Sequence, residues 1–188
     1  MTELDTLFER SVNHFGDVVR SVGAGQWTAA TPCSDWDARA LVNHVTVEQL
    51  WLPPLIEGKT VADVGDRFDG DQLGNDPVAA WDRAVKDSVA ALCAPGVLDG
   101  TVQLSRGETP TFQYALEMTL DALVHSWDLA RAIGADETLD PETVQLAYEG
   151  IQPMADELAA SGMFAPPIPT ADDAPMQTKL LAMLGRRA

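Results

Sequence analysis

Apolar side chains recur at intervals of three and four over much of this chain, a spacing that predicts amphipathic helices rather than strands. Between residues 3 and 22 the stripe is Leu4, Leu7, Phe8, Val12, Phe15, Val18, Val19 and Val22, closed by Gly23 and Gly25. A second stripe of Leu41, Val45, Leu52 and Leu55, widened by Leu50 and Trp51, predicts a helix over 37–57 in which Pro53-Pro54 makes a kink or ends the regular part. Ahead of it Thr31-Pro32 fixes an extended turn, and Ser34 or Asp35 offers a capping oxygen. Asp76-Pro77 is a favoured helix start, and Val78, Trp81, Val85, Val89 and Leu92 carry the pattern to Pro95-Gly96. The stretch 111–133 is apolar nearly all round, which places that helix at the centre of its domain. Asp140-Pro141-Glu142 opens a further helix over 140–160, a proline-containing loop covers 161–175, and a short last helix over 175–186 ends on Arg186 and Arg187.

The helical period breaks twice. Residues 58–76 are rich in Gly and Asp and form a long connection. Asp63, Asp66, Asp69, Asp71 and Asp76 lack EF-hand spacing and its closing glutamate, so they read as a solvated loop. Thr101-Val102-Gln103-Leu104 alternates before Arg106-Gly107-Glu108-Thr109-Pro110 turns, the mark of a hairpin or short strand attached to the helices. The expectation is an all-α bundle with that β-hairpin or strand insertion and a short C-terminal helix, in a single domain over 1–188.

Composition narrows the function classes. With 188 residues, 46% of them hydrophobic, the chain can bury one sizeable core. Its apolar runs fall far short of the roughly 18–20 residues that span a bilayer. The opening Met1-Thr2-Glu3-Leu4-Asp5 lacks the features of a signal peptide, so the expectation is a soluble, cytoplasmic protein. Lys and Arg number 12 against 29 Asp and Glu, and the net charge of −17 argues against nucleic acid and anionic membranes as partners. Cys33 and Cys93 are too few for a cysteine zinc ribbon and are expected to be reduced. Cys33, just before a helix start, is either a thiol activated by that position or a small side chain fixing the turn, and Cys93 is a packing residue.

Candidate chemistry lies in two apolar runs, Leu41-Val42-Asn43-His44-Val45 and Asp121-Ala122-Leu123-Val124-His125-Ser126-Trp127-Asp128-Leu129. Two of the three histidines are here, and Asp121 stands four residues before His125, on the same helix face. An ionised carboxylate within an apolar helix costs several kcal/mol unless it is paired or ligates a cation. Two imidazoles and one carboxylate from facing helices suit zinc, or nickel or another first-row divalent ion. The candidate ligands are therefore His44, Asp121 and His125. Glu48, four residues after His44, is a rival ligand, Asp128 acts behind His125 or caps the surface, and a purely structural Asp121–His125 pair is a further alternative. His14 reads as a surface or structural histidine.

Thr31-Pro32-Cys33-Ser34-Asp35-Trp36 followed by Leu41-Val42-Asn43-His44 resembles the opening signature of the DinB-like superfamily, in the branch of the mycothiol-dependent maleylpyruvate isomerase N-terminal domain. The segment Asp121–Ala130 resembles its second signature, and Leu180-Leu181-Ala182-Met183-Leu184-Gly185-Arg186 its ending. The resemblance implies a four-helix bundle with a divalent metal held at His44, Asp121 and His125, although many members carry Glu at the acidic position. It also implies isomerisation or transfer dependent on mycothiol or a related small thiol, acting on a small electrophile. The isomerase proper adds a C-terminal domain to its active site. This chain ends at Ala188 without one, so a substrate other than maleylpyruvate is expected. A metal-dependent hydrolase, a non-catalytic metal-binding bundle and a plain helical domain stand as alternatives, and a homodimer through an apolar helix face is the oligomer expected.

Overall fold

Each apolar stripe needs a neighbour to cover it, and in the computed structural model, which describes residues 3–155 and 164–188, the long helices supply that cover to one another. The chain divides into two compact units, Met1–Glu137 and Thr138–Ala188. In the first unit the helices are α1 (Glu3–Ser21), α2 (Ala38–Ile56), the one-turn α3 (Val61–Val64), α4 (Pro77–Leu92) and α5 (Thr111–Ile133). α1 packs on α4 and α5, and α2 packs on the same two, so the four long helices close a ring. Consecutive α1 and α2 thus face each other across the bundle. At the crossing of α1 and α4 a Cβ on Gly16 would lie 2.6 Å from Trp81 Nε1, so only glycine permits that approach, and the Phe15 and Trp81 rings meet 4.7 Å apart.

α5 is the central element, and every residue from Ala122 to Ala130 is buried. Two of its buried hydroxyls are satisfied within the helix: Thr119 and Ser126 donate to the Ala115 and Ala122 carbonyls one turn back, each at 2.7 Å. Pro110 precedes α5 and belongs to a hairpin of β1 (Thr101–Leu104) and β2 (Gly107–Pro110), antiparallel with Val102 opposite Thr109. The expected hairpin insertion is present, with Val102 as its buried anchor.

The cap of α2 differs from the sequence expectation. Ser34 and Asp35 fall within a turn closed by the Trp36 N–H on the Cys33 carbonyl at 2.9 Å, and Asp37 takes the cap position instead. Its carboxylate accepts from the Ala40 N–H at 2.8 Å. Asp37→Ala is expected to lower stability by about 1 kcal/mol while Asp37→Asn retains most of it, read as denaturation midpoints; equal loss in both variants would remove the capping role. At the other end, α2 runs through Pro53 and Pro54 to Ile56. The prolines stand in the last turn and forgo N–H bonds to the Gln49 and Leu50 carbonyls, and only Leu55 and Ile56 of the helix follow them.

The acidic connection 58–76 is more ordered than its composition suggests. Asp63 completes a capping box with Thr60 on α3, Asp71 pairs with Arg39 at 2.7 Å, and Asp76 caps α4 through the Ala79 N–H at 3.0 Å. Asn43 clamps the loop to α2: its amide donates to the Gly70 carbonyl at 3.0 Å and accepts from the Gln72 N–H at 2.8 Å. This places a fixed loop beside His44.

In the second unit α6 (Pro141–Ile151), followed by a 3-10 turn over Gln152–Met154, packs on α7 (Met176–Met183). Asp140 caps α6 as expected, accepting from the Thr143 N–H at 2.9 Å. The part of the expected helix at 156–160, and residues 161–163 of the expected loop, lie outside the described residues. α7 ends before the arginines, at Gly185 with φ of 77°, where the Arg186 N–H reaches back to the Leu181 carbonyl at 2.8 Å. No helix among the described residues is long and apolar enough to cross a membrane.

Candidate metal centre

Side-chain spacing brings the candidate residues onto two facing helices. Asp121, His125 and Asp128 stand at one-turn intervals along a single face of α5, and His44 enters from α2. Asp121 Oδ1 lies 3.3 Å from His44 Nε2 and 3.4 Å from His125 Nε2. Donor atoms of these three residues all fall within 4.8 Å of one another. The separations are long for charge-assisted N–H···O⁻ bonds, which run about 2.7–2.9 Å. They match instead the roughly 3.3–3.4 Å between ligand atoms of a tetrahedral ion with bonds of about 2.0–2.1 Å. Asp121 Oδ2 is sealed from solvent and has no hydrogen-bond partner. A buried carboxylate oxygen without a donor is what a cation would compensate, so the residues fit a divalent metal.

The opposite side of His125 has a different geometry. Nδ1–H donates to Asp128 Oδ2 at 2.9 Å, a normal charge-assisted bond to a carboxylate that is 0% exposed. In the neutral ring that bond fixes the tautomer, because a proton held on Nδ1 leaves the Nε2 lone pair facing Asp121 and His44. Asp128 therefore orients His125 rather than capping the surface. Cys33 joins the same oxygen: its thiol donates to Asp128 Oδ2 at 3.4 Å and lies 4.0 Å from His125 Nδ1. Cys33, His125 and Asp128 form a second group of mutually close donors, using the other nitrogen of the imidazole. Cys93 is remote from this chemistry, and burial pushes its thiol up to about 11.

The loop before α2 holds Cys33 in place through Thr31. The Thr31 hydroxyl accepts from the Cys33 N–H at 3.1 Å and donates to the Trp36 carbonyl at 2.8 Å. The same turn lays the Trp36 ring over His44, with centroids 4.5 Å apart and planes 28° from parallel, and leans it on His125 at 5.7 Å. Sequence periodicity could not reveal Trp36, because it lies outside any helix. Its only signal is its place in the Thr31–Trp36 segment.

Electrostatics follow from this geometry. Burial opposes ionisation of Asp121, yet His125 and His44 outweigh it and hold the carboxyl well below the usual range. Burial likewise opposes a charged His125, but Asp121, Asp128 and Cys33 prevail and raise its imidazole well above the ordinary value. Glu48 moves the other way: burial first, then the Asp121 charge, raises its carboxyl, with both histidines pulling down. Glu48 does not enter either group of mutually close donors among the described residues, so at Asp121 the shorter side chain reaches where the rival does not. His14, on α1, belongs to neither group.

Residues 8–130 match the family described as mycothiol maleylpyruvate isomerase N-terminal domain. Two uncharacterized proteins of Mycobacterium tuberculosis, MT0763 from strain CDC 1551 and Rv0738 from strain H37Rv, are each 33% identical over 188 residues, covering 95% of this chain and 94% of their own. No solved structure matches the chain.

Proposed function

Because the chain belongs to the mycothiol maleylpyruvate isomerase N-terminal domain family, we propose that it is a divalent-metal protein that transfers or rearranges a small electrophile with the help of a low-molecular-weight thiol, mycothiol or a relative. The observation that carries the reading is Asp121, with one oxygen 3.3–3.4 Å from two imidazole nitrogens and the other buried without a partner. His44, Asp121 and His125 would hold the ion, and zinc suits two nitrogens and one oxygen best. When bound, such an ion stabilises a thiolate at neutral pH and so supplies a nucleophile. The chain's own residues do the rest. Asp128 keeps the proton of His125 on Nδ1, and Trp36 packs against both imidazoles and limits water beside them.

The test begins with protein purified without a histidine tag. About one equivalent of a first-row divalent ion per chain is expected, together with metal-dependent conjugation or isomerisation in a panel of thiols and small electrophiles. A full-length protein that takes up no stoichiometric metal on reconstitution would refute the metal site. Metal without thiol-dependent turnover across the panel would leave a binding protein and overturn the enzymatic part.

A further inference from the structure

The polar face of α5 does not stop at Asp121. Glu117 stands one turn and Tyr114 two turns closer to the start of the helix, on the face that carries His125. On α2, Glu48 follows His44 by one turn. Since His44 faces Asp121, and Glu48 senses Glu117 as well as Asp121, the two rows run side by side away from the histidines. Glu117 is already engaged: Arg106 Nη2 lies 2.7 Å from both its oxygens, and the Gln113 amide donates to it at 3.2 Å. Glu48 is not, since it makes no ion pair or hydrogen bond among the described residues. Tyr114 is 4% exposed and its hydroxyl also lacks a hydrogen-bond partner among them, although Glu48 is the charge that acts on it most strongly.

An unpaired carboxylate one turn from His44 and an unpartnered hydroxyl two turns from Asp121 are the two halves of a recognition point beside the three converging donor atoms. The titratable groups whose charge acts on Glu48 are Asp121, His44, His125 and Glu117, Glu48 in turn acts on Tyr114, and Arg106 is held by Glu117. Once His44 and His125 hold an ion, no side-chain cation among them is left to receive an anionic ligand. We propose that Glu48 and Tyr114 bind the far end of the small thiol, and that this end is cationic or a neutral hydrogen-bond donor, so that thiols carrying a carboxylate or sulfonate are rejected. The inference rests on the metal reading above and adds to it the charge class of the ligand.

Three thiols of one length separate the cases: thiocholine, 2-mercaptoethanol and 2-mercaptoethanesulfonate, titrated onto the cobalt(II)-loaded full chain at about pH 8. Sulfur-to-cobalt charge-transfer absorption reports each Kd. Thiocholine is expected to bind best relative to the sulfonate, and Glu48→Gln to shrink that Kd ratio about tenfold, because one charge at close range is removed. Comparing the ratio between the two proteins cancels the intrinsic acidity of each thiol. Tyr114→Phe, which keeps the ring and its packing, is expected to weaken 2-mercaptoethanol several-fold through loss of one hydrogen bond. A ratio unchanged in Glu48→Gln, with the cobalt spectrum intact, overturns this inference alone. A wild-type chain that binds no cobalt overturns the metal reading and this one with it.

Discussion

Replacing His125 or His44 with alanine is expected to abolish stoichiometric metal binding, and the two variants should differ in what else they lose. Each removes one of two imidazoles that contact Asp121 Oδ1, so affinity should fall by more than the roughly 10–100-fold that outer partners contribute. His44 is 27% exposed and its further contact is the Trp36 stack, so His44→Ala should cost only about 1 kcal/mol of stability. His125→Ala removes the imidazole hydrogen bond to Asp128, a fully buried carboxylate that keeps its contact with the Cys33 thiol, and should cost about 2–3 kcal/mol. Elemental analysis after reconstitution reads the first effect, and denaturant unfolding of the apo-proteins reads the second. Metal retained in full by either variant contradicts the site. Metal lost only in proportion to unfolded protein would mean that the histidines matter for folding alone.

Metal affinity should rise about tenfold per pH unit from about pH 6 upward, with about one proton released per ion bound. The sign follows from His125, whose imidazole lies between Asp121 and Asp128 and titrates well above its ordinary value of about 6.5. A cation needs the Nε2 lone pair, so it displaces that proton. Stability of the apo-protein runs oppositely. The His125 contribution is complete below about pH 6.5 and is lost as pH rises through the elevated value, whereas that of Asp121, whose carboxyl is depressed, is present above about pH 4 and is lost on acidification. Calorimetry in buffers of different protonation enthalpy counts the protons. Zero protons released, or an affinity flat between about pH 6 and 7.5, would mean that His125 is already neutral.

The bundle was legible because its signals are local and repeated. Stripes such as Leu4–Val19 and cap pairs such as Asp76-Pro77 each specify an element without reference to the rest of the chain, and the observed helices follow them. The cap of α2 was misplaced because three acceptors, Ser34, Asp35 and Asp37, compete within four residues, and the winner depends on the turn that Thr31 builds. The one-turn α3 was too short to show a period. At the candidate site, the Asp121–His125 spacing pointed to one face, and the apolar surroundings made its charge expensive. The roles of Trp36 and Cys33 could not be read in the same way. They arise from an irregular loop folding back onto α5, with Cys33 and His125 92 residues apart, and no periodic pattern records that contact.

The ring order of the helices also has a kinetic side. His44 and Asp121 are 77 residues apart, on helices that become neighbours only when the bundle closes. Closing a loop of that length comes late, because its entropy must be met before the contact rewards it. The three donors therefore do not converge in the unfolded chain, and an ion held by them would find its place only after the bundle has closed. Its stabilising effect would then fall on the rate of opening rather than the rate of folding. Metal would act as a latch on a finished bundle, lengthening the life of each folded molecule without guiding how it formed.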